Sequence, residues 1–248
     1  MLAELAVATK PMPMPAQPFP YRVVELADPA AQIRIVRLAA TANPLRFAAG
    51  QYAMLTFGEH RARPFSMAGQ PGDAVLEFHM RHGLGEHAVT RLRPGDGVGV
   101  EGPFGHAFLA DQHKGPILGV AGGTGMAPLL SIVATALARD PGRAAVLYVG
   151  ARNEPDLYLA DRLTRLAQRH PRFRWIPVLS ESIAAGRRTG MVTDALAEDL
   201  AAGNVLSLSG SKAYLAGPRP MVASAAALLR AYGLADEDMH GDGLIRER

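Results

Sequence analysis

The sequence predicts two domains, an N-terminal antiparallel β-barrel and a C-terminal α/β domain with a parallel sheet. Short strand-like runs, separated by Pro, Gly, Asn and Asp turn residues, occupy residues 21–101. Beyond residue 112 strand and helix patterns alternate, which is typical of βαβ units. We therefore expect a Pro/Met-rich arm over residues 1–20, a barrel over residues 21–112 and an α/β domain over residues 113–248.

Length and composition are those of a globular protein with two cores. The chain has 248 residues, of which 48% are hydrophobic. Its formal charge is only +3, and no basic stripe is interleaved with aromatic residues, so we expect no nucleic-acid partner. The first residues lack a secretory signal, and no stretch approaches the roughly 20 apolar residues that span a bilayer, which favours a cytoplasmic protein without membrane insertion.

Cysteine is absent from the sequence. Disulfides, thiolate metal sites and cysteine-held iron–sulfur clusters are thereby excluded within these residues, and we expect no metal site.

The barrel elements are predicted from short runs with strand character. Strands are expected over residues 21–26, 33–38, 51–57, 64–68, 75–81 and 98–101, with one brief helix over residues 85–92. Between Leu76 and Arg81 apolar and polar residues alternate strictly, which places His79 and Arg81 on the face opposite the apolar residues. The apolar face belongs to the core, and the polar face is available to a ligand.

The second half alternates apolar strand runs with helices. Strands are expected over residues 117–121, 145–149, 173–179 and 213–216, and helices over residues 127–138, 156–168, 194–201 and 220–232. Thr193 is expected to cap its helix, and Gly233 to end the last long helix in a left-handed turn. Ligands of such sheets bind at the carboxyl ends of the strands, where two glycine-containing turns fall.

Two short motifs carry the chemistry. Residues 122–125 (Gly-Gly-Thr-Gly) join a strand to a helix, where glycines let the backbone approach a diphosphate and the helix N-terminus favours an anion. Residues 63–66 (Arg-Pro-Phe-Ser) offer a guanidinium for phosphate, an aromatic ring for stacking and a hydroxyl for hydrogen bonding. These are the groups that a flavin nucleotide requires.

With these motifs in this order, the chain resembles the ferredoxin–NADP⁺ reductase superfamily, and within it the oxygenase-reductase or flavin-reductase-like branch without an iron–sulfur domain. The resemblance extends from about residue 21 to the end. Further matching segments are residues 102–105, 150–152, 186–190, 216–221 and 239–242. It implies a flavin-binding barrel followed by a domain that binds NAD(P).

For the flavin, the resemblance implies FAD rather than FMN. Arg63 matches the phosphate contact, Phe65 lies along the isoalloxazine, and Ser66 forms a hydrogen bond near flavin N5. The full set of implied contacts is Arg63, Pro64, Phe65, Ser66, His79, Met80, Arg81, Gly85, Glu86 and His87. Glu86 stands where relatives usually place Ser or Thr, and its carboxylate would repel a diphosphate unless it points away.

For the nicotinamide nucleotide, the resemblance implies contacts from Gly122, Gly123, Thr124, Gly125, Arg152, Gly217, Pro218, Arg219 and Met221. Many relatives have a cysteine at the position of Ala216, near the point of hydride transfer. Relatives that use NADPH tend to place an arginine where Glu181 stands, so NADH is preferred over NADPH. Arg187 and Arg188 would reverse this preference if their loop folded back over the site.

Ser66 and Asp242 are the expected catalytic residues. Ser66 polarises N5, and Asp242 resembles the acidic residue that some relatives bring close to the flavin. The aromatic residue that often follows this position is replaced by Gly243 and Leu244, which leaves the flavin face open.

Three functions remain open from the sequence. The first is a reductase that passes electrons from NADH through bound FAD to a separate ferredoxin, Rieske protein or oxygenase component. The second is an NAD(P)H:flavin reductase that uses free flavin as its substrate. The third is a non-catalytic flavin-bearing regulatory subunit.

Overall fold

A computed structural model describes residues 19–82, 87–241 and 244, which form two six-stranded sheets. The first sheet is antiparallel and the second is parallel, so the predicted fold class is confirmed. The two sheets are separated by the segment between residues 104 and 117, which contains the expected domain boundary. Within the described residues, no helix combines the length and apolarity needed to cross a bilayer.

The first sheet closes into a barrel. Its elements are β1 (Phe19–Ala30), β2 (Ile33–Ala40), β3 (Tyr52–Phe57), β4 (Arg63–Ser66), β5 (Val75–Arg81), α1 (His87–Arg91) and β6 (Gly97–Phe104). The strand order is β4-β3-β6-β1-β2-β5. The two outer strands are joined by an antiparallel bridge between Met67, just after β4, and Phe78 of β5. This bridge covers part of the strand edges that an open sheet would leave exposed.

Alternation along the strands builds the barrel core. Phe78 and Met80 of β5 are fully buried among Leu38, Leu55 and Val100 of neighbouring strands. The expectation that these apolar residues face the core is therefore confirmed.

The second sheet is wound in βαβ units. Its elements are β7 (Ile117–Gly122), α2 (Met126–Arg139), β8 (Ala145–Ala151), α3 (Ala160–Arg169), β9 (Phe173–Leu179), β10 (Arg188–Thr189), α4 (Val192–Ala201), β11 (Lys212–Ala216), α5 (Arg219–Ala231) and β12 (Met239–Gly241). The strand order is β10-β9-β8-β7-β11-β12. Every residue of the central strand β7 is buried, as its continuous apolar run requires.

Two predicted helix starts are wrong. Helix α4 begins at Val192, so Thr193 lies inside its first turn, and the N-cap residue Met191 makes no side-chain capping bond. Helix α3 begins at Ala160 rather than at residue 156, because Asn153 forms a reciprocal capping box with Asp156 around a separate 3₁₀ turn. Gly233 follows α5 with φ of +87°, as predicted.

Candidate functional site

A cleft of about 850 Å³ lies between the barrel and the parallel sheet. The barrel contributes Ser66, Arg81 and the tip of the β1–β2 hairpin, residues 30–33. The second domain contributes the turns that follow β7 and β11, together with the ends of β8 and β9. The fold thus brings the serine of the first motif and both glycine turns to one site, although they are far apart in the sequence.

The turn after β7 requires its glycines. Gly123 adopts φ of +55°, and a Cβ at this position would lie 2.9 Å from the nearest guanidinium nitrogen of Arg81. A Cβ on Gly125 would lie 2.1 Å from the carbonyl oxygen of Ala216, at the end of β11. Side chains here would therefore separate the turn from Arg81 on one side and from the neighbouring strand on the other.

The turn after β11 packs against the first turn through backbone atoms. Gly217 has φ of +150°, and its Cβ would lie 2.9 Å from the carbonyl oxygen of Gly122. The sulfur of Met221 lies 2.8 Å from the position that a Cβ on Gly122 would occupy. The floor of the cleft between Gly122 and Gly217 is therefore main chain, closed on one side by Met221.

Two helices begin at this floor without a side-chain cap. Helix α2 starts after Gly125 and helix α5 starts after Pro218, and neither N-cap residue makes a side-chain capping bond. The first N–H of α2, at Met126, bonds the carbonyls of Gly123 and Thr124 in a preceding 3₁₀ turn, and the positive ends of both helix dipoles lie at the cleft. Thr124 lines the same turn. These features fit the phosphates of a dinucleotide.

The two faces of β4 have different surroundings. Ser66 pairs with Tyr52 of β3 and lines the cleft. The Phe65 ring instead packs against the barrel core, with its centroid 6.1 Å from that of Phe57 in an edge-on contact. The guanidinium carbon of Arg63 lies 5.9 Å from the centroid of the Phe65 ring, and Pro64 is exposed. Of these four motif residues, only Ser66 is among the residues that line the cleft.

At Glu77 and His79 the outward face of β5 is covered by the second domain, which corrects the expectation that this part of the face is available to a ligand. His79 is only 4% exposed, and its Nδ1 lies 3.0 Å from the Tyr158 hydroxyl. Arg81 is exposed at the cleft, as predicted, with one guanidinium nitrogen 3.4 Å from Oε1 of Gln32. The side chain of Met80 lies in the barrel core, so only its backbone is available to a cofactor.

A carboxylate lies next to His79 in this interface. Glu77 is 5% exposed, and its oxygens accept hydrogen bonds from Nε2 of His79 at 3.0 Å, from Arg162 at 2.5 Å and from Arg37 at 2.8 Å. Burial acts to raise the pKa of Glu77, but these donors outweigh burial and hold the pKa well below its ordinary range. The carboxylate is therefore ionised at neutral pH.

His79 is neutral in this setting. Burial lowers the pKa of His79 below its ordinary value, although the carboxylate of Glu77 opposes this effect. A neutral imidazole has one donor and one acceptor nitrogen, and the ionised Glu77 requires the donor at Nε2. Nδ1 of His79 consequently accepts a hydrogen bond from the Tyr158 hydroxyl. Burial raises the pKa of Tyr158, which keeps this donor protonated.

A charged pair lies at the far end of the cleft. Nε of Arg152 is 3.6 Å from a carboxylate oxygen of Glu181, and both residues line the cleft beyond β8 and β9. Arg187 instead lies against Trp175 and 3.4 Å from Glu154, and Arg188 bonds Glu198 and Asp199. Among the described residues, neither Arg187 nor Arg188 lines the cleft. The loop that carries these two arginines is not folded back over the site.

Some predicted site residues lie elsewhere. Arg219 is the exposed first residue of α5 and is not part of the cleft lining. Gly85, Glu86 and Asp242 lie outside the described residues, and His87 is described only as the backbone at the start of α1.

Sequence reasoning missed the interdomain residues. Glu77 occupies the same strand face as His79, so the alternation of the strand contained a signal for it. Tyr158 and Arg162 belong to another domain and gave no such signal. The tip of the β1–β2 hairpin, which includes Gln32, was missed as well.

The fold and the cleft define the class first: two-domain oxidoreductases in which a barrel and a parallel α/β domain face each other across a nucleotide site. Comparison with known proteins gives the family. Residues 120–227 match the oxidoreductase NAD-binding domain family. The chain is 39% identical over 233 residues to the ferredoxin–NAD(P)⁺ reductase component of the Pseudomonas putida naphthalene 1,2-dioxygenase system, covering 92% of this chain and 69% of that one.

Other relatives support the same assignment. The chain is 31% identical over 194 residues to the NAD(P)H-flavin reductase of Vibrio harveyi, covering 74% of this chain and 80% of that one. It is 40% identical over 210 residues to the reductase subunit of an Amycolatopsis aromatic O-demethylase, covering 81% of this chain and 61% of that one.

Solved structures share the fold. The crystal structure of an Amycolatopsis cytochrome P450 reductase matches with a TM-score of 0.83 and 35% identity, over 96% of this chain and 72% of that one. A ferredoxin–NADP⁺ reductase from Neisseria gonorrhoeae with bound FAD and NADP matches with a TM-score of 0.78 and 19% identity, over 92% and 99% of the two chains.

The chain therefore belongs to the ferredoxin–NADP⁺ reductase superfamily of oxidoreductases, which confirms the resemblance drawn from its motifs. Membership supports the binding of FAD and NAD(P).

Proposed function

We propose that this protein is an NADH-dependent flavoprotein reductase that holds FAD on the barrel and NADH on the parallel sheet. The observation that carries the proposal is the single cleft that joins Ser66 to the turns at Gly123 and Gly217. Two ligands held on opposite walls of one cleft can be brought into contact, which is the geometric requirement for transfer between their rings.

The residues present fit these ligands. The main-chain floor at Gly125 and Gly217 admits a diphosphate closely, and the positive dipole ends of α2 and α5 favour its charge. On the barrel side, Ser66 offers a hydroxyl and Arg81 a guanidinium to a flavin. A flavin bound there would accept a hydride and release its electrons one at a time.

The protein's own contribution is orientation and polarisation. Ser66 lines the cleft, where its hydroxyl would donate a hydrogen bond to a ring nitrogen of a bound flavin. Met221 closes one side of the main-chain floor and limits the access of water. We further propose that Arg63, exposed at the start of β4, binds a flavin phosphate, since a guanidinium can hold a phosphate through two parallel hydrogen bonds.

The geometry favours NADH over NADPH. The carboxylate of Glu181 lines the cleft at the end of β9, where it would repel a 2′-phosphate. Arg187 is engaged with Glu154 and Trp175, and Arg188 with two acidic residues of α4. Among the described cleft residues, Arg152 has its guanidinium beside Glu181. The Glu181 carboxylate balances the positive charge of Arg152, so this charge is not left over for a 2′-phosphate.

The proposed acceptor is a separate protein, such as a ferredoxin, a Rieske protein or an oxygenase component. The matched relatives from Pseudomonas putida and Amycolatopsis are reductase components of oxygenase or demethylase systems. The chain spans 69% of the first relative's length and 61% of the second's. With no cysteine in the sequence, these 248 residues hold no cysteine-ligated cluster that could take the electrons.

A second candidate function is the reduction of free flavin. The match to the Vibrio harveyi NAD(P)H-flavin reductase covers 80% of that protein, more than the 69% covered of the naphthalene dioxygenase reductase component. In that case flavin would be a substrate that exchanges with solution, and the purified protein would be colourless.

Anaerobic titration of the flavin-loaded protein with NADH tests the proposal. Loss of flavin absorbance at one equivalent of NADH is the expected result, and no bleaching with either NADH or NADPH would contradict it. Gel filtration then separates the two candidates, since flavin that elutes with the protein supports a bound cofactor and flavin that elutes later supports a substrate. Addition of a ferredoxin to the reduced protein tests transfer to a protein acceptor.

A further inference from the structure

Four side chains join the two domains in one hydrogen-bonded chain. Tyr158 donates to His79 at 3.0 Å, His79 donates to Glu77 at 3.0 Å, and Arg162 donates to Glu77 at 2.5 Å. Glu77 and His79 belong to β5 of the barrel. Tyr158 and Arg162 belong to the second domain, where Tyr158 lies just before α3 and Arg162 lies in its first turn. These four residues are called the interdomain network below.

The network lies next to the cleft in both domains of the protein. Tyr158 itself lines the cleft. On β5, Glu77, His79 and Arg81 occupy the same strand face, and Arg81 lines the cleft directly. A shift of β5 relative to Tyr158 would therefore move Arg81 relative to the turn at Gly123.

The network is held in one arrangement by its protonation states. Glu77 is ionised and nearly fully buried, so it requires a donor at Nε2 of His79. This fixes the tautomer in which Nδ1 accepts from Tyr158. Loss of the Tyr158 hydroxyl would leave a buried acceptor unpaired, and the domains would have to move apart to admit water.

We propose that the interdomain network is a positioning device that sets the separation of the two cleft walls, with Tyr158 as its contact at the cleft. The consequence for rate rests on the proposed function, because it assumes that rings held on the two walls must meet. The residues act on the geometry of the cleft and take no part in the transfer itself. Displacement of reacting groups by about 1 Å lowers rates by about 10²-fold, so a loosened network would be visible in the transfer step.

The variant Tyr158→Phe tests the positioning role of the interdomain network, and Tyr148→Phe is its matched control. Tyr148 is buried, whereas Tyr158 is half-buried at the cleft, and the Tyr148 hydroxyl donates to a single side chain, Asp199 at 2.8 Å, within the second domain. Because the sequence has no cysteine, the substitutions Val24→Cys and Arg165→Cys, at exposed positions on β1 and α3, provide unique sites for spin labels. The label-to-label distance then reports the separation of the domains without reference to activity.

The expected result is a shifted or broadened distance distribution in Tyr158→Phe and an unchanged one in Tyr148→Phe. In stopped flow, anaerobic bleaching by NADH should slow by about tenfold or more in Tyr158→Phe, while the KM for NADH stays within about twofold of wild type. Unchanged label distances would overturn the proposal. Shifted distances with an unchanged bleaching rate would overturn its claim on the transfer step, and a wild type that is not bleached at all would instead refute the proposed function.

Two substitutions of His79 refine the test. In His79→Asn the amide oxygen takes the place of Nδ1 and keeps an acceptor for Tyr158, whereas His79→Gln places its amide near Nε2 and keeps the bond to Glu77. We expect the Asn variant to retain the wild-type label distance and the Gln variant to match Tyr158→Phe. The opposite order would show that the bond between His79 and Glu77, and not the contact with Tyr158, holds the domains.

Discussion

The Tyr158 hydroxyl lies 3.0 Å from Nδ1 of His79, across the boundary between the two domains. The two rings meet edge to face, with centroids 5.4 Å apart. His79 is thereby enclosed by Tyr158 on one side and by the Glu77 carboxylate on the other. Protonation of the imidazole would remove the acceptor of the Tyr158 hydroxyl, so the interface is sensitive to acid.

Acidification should destabilise the protein in two stages. The folded-state pKa of His79 is lowered, so its stabilising effect is complete above the unfolded-state pKa of about 6.5 and is lost as the pH falls below that value. The lowered pKa of Glu77 adds a second loss as the pH falls below about 4.3. One proton contributes a slope of at most about 1.4 kcal/mol per pH unit.

Urea unfolding between about pH 5 and pH 8 measures the first stage, because this range brackets the ordinary histidine pKa of about 6.5. The slope of unfolding free energy against pH should be smaller in His79→Asn than in wild type. The same substitution at His60, exposed in the turn between β3 and β4, is the control. Equal slopes in wild type and His79→Asn would contradict the assignment of a neutral, buried His79.

Gly125→Ala should damage the cleft floor. The new methyl group would lie 2.1 Å from the carbonyl oxygen of Ala216, so the two turns must separate, at a cost of about 1–3 kcal/mol in unfolding free energy. Weaker NADH binding should accompany this loss. Gly97→Ala is the matched control, since a Cβ there meets no atom within 4 Å. Thermal unfolding and NADH titration of both variants provide the measurement, and wild-type behaviour of Gly125→Ala would contradict the close packing of the turns.

Glu181→Gln should increase the use of NADPH. Removing the carboxylate leaves Arg152 free to meet a 2′-phosphate, and we expect the ratio of kcat/KM for NADPH to that for NADH to rise about tenfold, equivalent to about 1.4 kcal/mol. Glu198→Gln removes an acidic partner of Arg188 away from the cleft and serves as the control. If the ratio does not change in Glu181→Gln, this carboxylate does not select the coenzyme.

Ser66→Ala should slow flavin reduction without loosening the barrel. The hydroxyl lines the cleft on β4 and its loss removes one preorganised donor, an effect worth about 10²-fold or more in comparable sites. The exposed Ser209, substituted by Ala, provides the control. Stopped-flow bleaching by NADH gives the rate and thermal unfolding gives the stability, and a wild-type rate in Ser66→Ala would remove Ser66 from the proposed mechanism.

The sequence was informative wherever a local pattern determines structure. The apolar run of β7 predicted a fully buried strand and the alternation of β5 predicted a strand with one face in the core, and both features are observed. The short strands β10 and β12, of two and three residues, are too brief to show a period, and they form only because longer neighbours offer backbone partners.

The candidate site was predictable only in part. The turns at residues 122–125 and 217 require glycine because of their backbone conformation and close packing, so the glycines themselves are visible in the sequence. The contact between His79 and Tyr158 joins residues 79 positions apart and depends on how two separately folded domains meet, so no local pattern encodes it. The exposed polar face predicted for β5 was wrong at His79 for the same reason, since the covering surface comes from the other domain.

The turns at Gly122 and Gly217 meet through main-chain atoms. A surface made of peptide groups presents the same shape and hydrogen-bonding pattern whatever side chains change around it. Under the proposed function, a substitution at the rim, as at Glu181, would alter which coenzyme is accepted and leave the main-chain floor in place. Coenzyme choice and coenzyme binding would then depend on different groups, side chains at the rim for the first and peptide groups of the floor for the second.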